Sequence, residues 1–398
     1  MKRSRIDSLI MSQEKLSSLT RKDIETVQLR KLNSLLYREK ERGGFYKNLP
    51  EQLDSLKELE NLPFTTDEDL AANPSSMLLS SQADIQRVLS DATSGTTGHE
   101  KRVFYSLGDC ENTIRLFKAG LGEFVFPGNR TMICMPFSGP YGLGDLISEA
   151  ISRLGAVPIR AGCNLSYGQL KALMLKEKPD TYVGMPVNLL SMLRVCGRQS
   201  IERALVSADS CPENVIHEIE EILGTRLFPH YGSREMGLGG AICCPAHEGM
   251  HLRENHVIAE IIDDNGKVLP HGKYGQLVIT TIGMEAMPLI RYKTGDYTKI
   301  FQGRCPCGSE VIRLDDVRRT LTGRDIAYWD NRVFTDKRIV DYSLKYNGTN
   351  YIVNALTLGN YNCSPLFRDL LGKECLVNFR EVHENDKPLY RGKRKVLN

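Results

Sequence analysis

From Ser12 to about Lys47, the residues Leu16, Leu19, Ile24, Val27, Leu29, Leu32, Leu35 and Leu36 recur at mixed spacings of three and four between charged positions. That period predicts core-facing helices. A partner-binding amphipathic arm would show the same stripe but is its rarer use. Between about 86 and 300 the pattern alternates. RVLSDAT, NRTMICMPF, AVPIRAG and TYVGMP read as short β-branched strands, and LGDLISEAISRLGA and LSYGQLKALMLKEK as helices between them. Strand, helix, strand in succession predicts parallel crossover units and an α/β sheet. From His256 the text changes to HVIAEIID, DNGKV, YGQLVITTI and PLIRYKTGDYTKI, strand-like runs joined by glycine turns with no helix between them. An antiparallel β subdomain is predicted there. After Gly323 the signals are mixed, with YIVNALTLG as a strand and SPLFRDLLGKE as a helix.

Composition adds bounds. The chain has 398 residues, 41% hydrophobic and 25% charged, enough to bury a real core. Its net charge of +3 is too balanced for a dedicated nucleic-acid binder. No apolar run approaches the roughly 20 residues that span a bilayer. The basic opening MKRSRIDSLIMSQEK has no signal-peptide core. The expectation is a cytoplasmic protein with no nucleic-acid or membrane partner. Eleven Cys fit a reducing compartment, and the close pair Cys305 and Cys307 suggests a metal.

Three segments carry candidate chemistry. The first runs Thr93, Ser94, Gly95, Thr96, Thr97, Gly98, His99, Glu100, Lys101. Glycines let backbone amides approach an anion, hydroxyls add donors and Lys101 adds charge, so a phosphate cradle is sensible, although the spacing is not that of a Walker A loop. The second is His230, Tyr231, Gly232, Ser233, Arg234, Glu235, Met236, Gly237, after an apolar run that ends a strand. Tyr231 could stack on a planar base there, and Glu235 could hold a hard cation. In the third, Tyr292 to Asp296, the carboxylate of Asp296 could accept both hydroxyls of a ribose. Each segment alone also reads as an ordinary polar turn.

In this order, with YREKERGGFYKNLP, LPFTTDEDL, MPFSGPYGLG, RCPCGS, LTGRD and RGKRK, the segments resemble the adenylate-forming superfamily, most closely its phenylacetate-coenzyme A ligase-like branch. The resemblance covers nearly the whole chain. It implies a large N-terminal domain over 1–322 with mixed sheets, helices and the antiparallel β subdomain, and a small mobile α+β C-terminal lid over 323–398. It also implies ATP-dependent activation of a carboxylic acid to an acyl-adenylate with release of pyrophosphate, followed by transfer to coenzyme A. The loop from Ser94 to Lys101 would shield the phosphates. Tyr231 would meet adenine with Gly232, Ser233 and Arg234 around it, Glu235 would hold Mg²⁺, and Asp296 would bind the ribose. Arg324 would approach the ribose or phosphate, Asp325 would be the hinge, and Lys393 would meet the α-phosphate and carboxylate oxygens.

The chain departs from relatives in three places. Arg234 stands where a Thr is common, Arg324 and Asp325 are adjacent where another residue usually separates them, and the C-terminal segment is short. A carrier-protein thiol is therefore an alternative acceptor. A zinc-stabilised nucleotide-binding scaffold with impaired turnover is the alternative from a different class. Homodimerisation is compatible with the resemblance. Cys244 and His251 with Cys305 and Cys307 make a tetrahedral donor set for structural zinc, similar to a C…H…CPCG arrangement in related ligases, with Cys243 and His247 as alternative ligands. Phe137, Tyr141 and Gly142, with Gly184, are the candidate acyl pocket, sized for an aryl or short aliphatic acid.

Overall fold

The computed structural model describes residues 3–92, 100–320 and 325–397. The chain divides into two compact units, one of Met1–Glu123 with His230–Arg319, the other of Phe124–Pro229 with Thr320–Asn398.

In the first unit, the N-terminal helical pattern becomes two helices, Arg5–Glu14 and Arg21–Arg42. The break arises locally. Lys15 takes a left-handed conformation at φ 56°, and Thr20 opens the second helix through a capping box with Asp23. Ile24, Val27, Leu32, Leu35 and Leu36 are buried as the period requires, whereas Leu16 and Leu29 are only partly covered. Leu32, Leu35 and Leu36 pack with Ile258, Ile282 and Ile290, so the second helix shares a core with the later β segment. That segment is the expected antiparallel sheet, in the order Ile258–Ile262, Gly275–Thr280, Tyr292–Thr298. The DNGKV stretch is a turn rather than a strand, because Asp263 Oδ1 accepts from the amides of Asn265 and Lys267, each at 2.9 Å, and folds the chain back. The helix Leu107–Leu121 begins with a capping box of Ser106 and Asp109. The buried Asp109 carboxylate also accepts from the amides of Glu285 and Ala286 at 2.7 and 3.0 Å, tying this helix to the loop before Tyr292.

In the second unit, the strands Val157–Arg160, Arg130–Cys134, Thr181–Gly184 and Arg203–Val206 run parallel in that spatial order, with Phe228 and Pro229 pairing beside the last. The helices Leu143–Ser152, Tyr167–Glu177, Pro186–Cys196 and Glu213–Leu223 alternate with them, the expected crossover pattern. Residues from 325 onward add an antiparallel pair, Ile339–Tyr346 with Tyr351–Thr357, and a third strand, Leu376–Glu381, parallel to the latter. Trp329, Phe334, Tyr342 and Phe367 join Leu189, Leu193, Val215 and Ile219 in one hydrophobic core. A buried charge cluster anchors the tail. Arg394 donates to Asp330 at 2.9 and 3.0 Å and to Asp341 at 2.8 Å, and its amide donates to Asp209 at 3.0 Å. Burial lifts the Asp209 carboxyl to about 6, against the opposing pull of Arg394.

Candidate functional site

Two of the three candidate segments converge with Lys101 inside the first unit. Lys101 lies at the start of the strand Glu100–Ser106, directly after the glycine loop. Its ammonium stands 2.6 Å from Glu235 and 2.8 Å from Asp67, and it donates to the Tyr292 hydroxyl at 2.6 Å. Tyr292 in turn donates to Asp67. Burial pushes the Glu235 carboxyl up, but Lys101 more than offsets it, so Glu235 is held below the usual range and is ionised at neutral pH. Burial likewise opposes the charge on Lys101, yet Glu235 and Asp67 hold its pKa above the ordinary value.

A second pair completes the group. Tyr231 donates to Asp296 at 2.7 Å, and Arg319 stands 3.0 Å from the same carboxylate. Backbone geometry fixes these positions. A Cβ on Gly232 would come within 2.4 Å of the Leu238 carbonyl, so only glycine lets the chain fold back after Tyr231. The short helix Arg234–Met236 then ends on Gly237 at φ 80°, which leaves Glu235 buried at 7% exposure. Tyr105 donates to the carbonyl of Arg234 and holds that turn from below. Arg291, at φ 48°, sets up the strand Tyr292–Thr298 that carries Asp296, and its guanidinium is clamped to Glu260.

Ser94, Gly95, Thr96, Thr97, Gly98 and Arg324 lie outside the described residues. Asp67, Tyr292 and Arg319 belong to the group although sequence reasoning did not single them out. Asp67 and Tyr292 fall inside the quoted segments LPFTTDEDL and MPLIRYKTGD, but nothing in a linear reading pairs them with Lys101.

In the second unit, Phe137, Tyr141 and Gly142 lie in the loop after the strand Arg130–Cys134, and Gly184 ends the neighbouring parallel strand, level with Cys134. All four therefore sit at the carboxyl edge of the parallel sheet, where α/β folds place their ligands. Tyr141 is held at φ 64°, an uncommon conformation for a non-glycine residue. The Phe137 ring carries the Arg160 guanidinium 4.0 Å from its centre. Asp325 caps the helix Ile326–Val333 by accepting from the Tyr328 amide at 3.0 Å. Lys393 is exposed next to the anchored Arg394.

The Cys/His set is assembled by strand register in the first unit. Cys244 follows the strand Ala241–Cys243, and His251 lies on the antiparallel partner Met250–Leu252. Cys305 and Cys307 come from a tight turn in which the Gly308 amide donates to the Cys305 carbonyl at 2.8 Å. All four are buried, and their ligand atoms lie within 4.8 Å of one another. The sulfurs of Cys244 and Cys305 are 3.7 Å apart, as are Cys307 Sγ and His251 Nε2. Corners of a tetrahedron about 2.0–2.3 Å from one ion stand roughly 3.5–3.8 Å apart, so the spacing and donor chemistry fit zinc. Cys243 and His247 lie beside each other at 3.8 Å but outside this set.

A parallel α/β block, an antiparallel subdomain and clustered tyrosine, carboxylate and ammonium groups fit an enzyme of the nucleotide-binding class. Residues 59–286 match the family described as AMP-binding enzyme, more than half of the chain, and the protein belongs to that family. It is 28% identical over 333 residues to a phenylacetate-coenzyme A ligase of Thermus thermophilus, an alignment spanning 77% of this chain and 73% of the relative. It is 30% identical over 275 residues to a phenylacetate-coenzyme A ligase of Pseudomonas putida, covering 64% of this chain and 60% of that one. The chain thus spans about three fifths of the second relative's length. Among solved structures, a 2-hydroxyisobutyryl-CoA ligase in the postadenylation state superposes with a TM-score of 0.75 at 16% identity, over 94% of this chain and 90% of that one. The expected family and fold class hold, and the matches support the expected enzyme class, an AMP-forming acid-thiol ligase. Among the described residues no helix is long and apolar enough to cross a membrane.

Proposed function

We propose that the protein activates a small carboxylic acid with ATP, forming an acyl-adenylate and pyrophosphate, and transfers the acyl group to the thiol of coenzyme A. The observation that carries this reading is the grouping of Lys101, Glu235, Tyr231 and Asp296 in one unit, drawn from three distant segments. Glu235 is the residue that would hold Mg²⁺, which supplies charge neutralisation on the phosphates. The carboxylate is buried and ionised, the state that metal binding needs, and Mg²⁺ would share it with or take it over from the Lys101 ammonium, which keeps Asp67 as a partner. Tyr231 would lie against adenine, and Asp296, oriented by Tyr231 and Arg319, would accept the ribose hydroxyls. Arg234 would add positive charge near the phosphates, with the glycine loop from Ser94 to Gly98 covering them.

Residues 323–398 would swing as the lid about Asp325, bringing Arg324 and Lys393 to the nucleotide. The packing of this segment on 124–229 is then one of its two orientations. Phe137, Tyr141, Gly142 and Gly184 would enclose the acid, and the names of the relatives make phenylacetate the first candidate. Purified protein given ATP, Mg²⁺ and a panel of aryl and short aliphatic acids should release pyrophosphate with at least one of them. The thioester should form on adding coenzyme A. Silence with every acid, together with tight AMP binding, would overturn the catalytic reading in favour of a scaffold. Pyrophosphate release without a coenzyme A thioester would point to a carrier-protein thiol.

Cys244, His251, Cys305 and Cys307 would hold a structural zinc ion that pins the turn after Glu235 to the segment before Arg319. Gently purified protein should contain about one equivalent of zinc, and chelation should lower its thermal midpoint. Metal analysis finding less than about half an equivalent would reject the site.

A further inference from the structure

A polar cavity of about 200 Å³ opens in the first unit, lined among others by Lys31, Arg115, Arg253, Asn255 and Glu14. Arg253 is its unusual member. It is 2% exposed, yet among the described residues no carboxylate lies within ion-pair distance of its guanidinium. Its acceptors are neutral: the Asn112 carbonyl at 2.9 Å, the Gln13 side chain at 3.0 Å and the Asn112 side chain at 3.2 Å. Arg253 Nε is buried with no hydrogen-bond partner among the described residues. Burial, and after it the neighbouring Arg115, pull its pKa down to about 10, against a weaker opposing pull from Glu14 and Asp109 beyond ion-pair distance.

The remaining charges do not cancel this. Lys31 is paired with Glu14 at 2.6 Å, and Arg115 with Glu111 at 3.0 Å on its own helix. A buried guanidinium without an anionic partner is strongly unfavourable unless something supplies the missing charge. Among the described residues, Arg side chains as enclosed as this one have a carboxylate within reach: Arg194 with Glu218, Arg291 with Glu260, Arg313 with Glu248 and Arg394 with Asp330.

We propose that this cavity binds a small oxyanion of the phosphate class, with Arg253 as the principal partner and Lys31 and Arg115 at its walls. The volume admits such an ion, and the one carboxylate in the lining, Glu14, is already paired with Lys31 at 2.6 Å and Arg30 at 2.7 Å, which leaves the wall net positive. The site would be separate from the one that takes the reacting phosphates.

Inorganic phosphate titrated calorimetrically into the full chain, at constant ionic strength and with AMP saturating the nucleotide site, should bind saturably at one site. Arg115→Gln and Lys31→Met, which change the cavity wall but spare the buried guanidinium, should each weaken binding about tenfold or more, because charge-assisted hydrogen bonds are lost. Arg253→Gln should abolish binding, with circular dichroism confirming that it folds. No saturable heat with AMP present, saturable heat only when AMP is left out, or affinity unchanged in both wall variants would overturn the proposal.

Discussion

Glu235→Gln is expected to lower the rate of pyrophosphate release by about 10²–10³-fold, the loss that follows removal of one preorganised charge from a phosphoryl-type transition state. The substitution keeps the shape of the side chain and removes only its charge. Glu235 is buried and, through Lys101, ionised across the neutral range, so the wild-type group is an anion under any ordinary assay condition. The fold should tolerate the change. Lys101 keeps a carboxylate partner in Asp67 at 2.8 Å, so no bare ammonium is left behind. The measurement is initial pyrophosphate release against Mg²⁺ concentration, with thermal melting as the control for folding. A variant with the wild-type rate and the wild-type Mg²⁺ dependence would remove Glu235 from the metal-holding role.

Lys393→Ala should reduce adenylation by a similar factor, about 10²–10³-fold, while AMP affinity changes less than about threefold. The reason lies in when the charge is needed. An ammonium that meets the α-phosphate and carboxylate oxygens stabilises the negative charge that builds up during transfer, and contributes little to the ground state of bound AMP. The local anchor makes the test clean. Lys393 is exposed, and the neighbouring Arg394, locked to Asp330, Asp341 and Asp209, is untouched. Deleting Arg394 instead would leave buried carboxylates uncompensated and would cost several kcal/mol of stability, confounding any kinetic reading. Equal loss of rate and of AMP affinity in folded Lys393→Ala would contradict the assignment.

The candidate site was partly legible in sequence because each of its segments is a local turn whose residue types state their chemistry. Tyr231 to Gly237 runs from the end of a strand and supplies an aromatic, a carboxylate, a chain-reversing glycine and a helix-ending glycine in seven residues. The antiparallel subdomain was legible for a similar reason, since β-branched runs with no helix between them can pair only with each other. The zinc-type set was legible through the close spacing of Cys305 and Cys307. The choice of Cys244 and His251 over Cys243 and His247 was made there on the resemblance, and the register of Ala241–Cys243 against Met250–Leu252 is what brings those two side chains to the turn.

The sequence by itself determined the kinds of element, the order of the chemistry along the chain and the family to which the chain belongs, because periodicity and turn composition are local properties. The tertiary structure decided the partnerships: Lys101 with Asp67 and Tyr292, Asp296 with Arg319, Arg394 with Asp209, and the guanidinium of Arg253 without a carboxylate. Charge pairing depends on distance in space and on the water left between groups, and neither quantity is written in the spacing of residues along a chain.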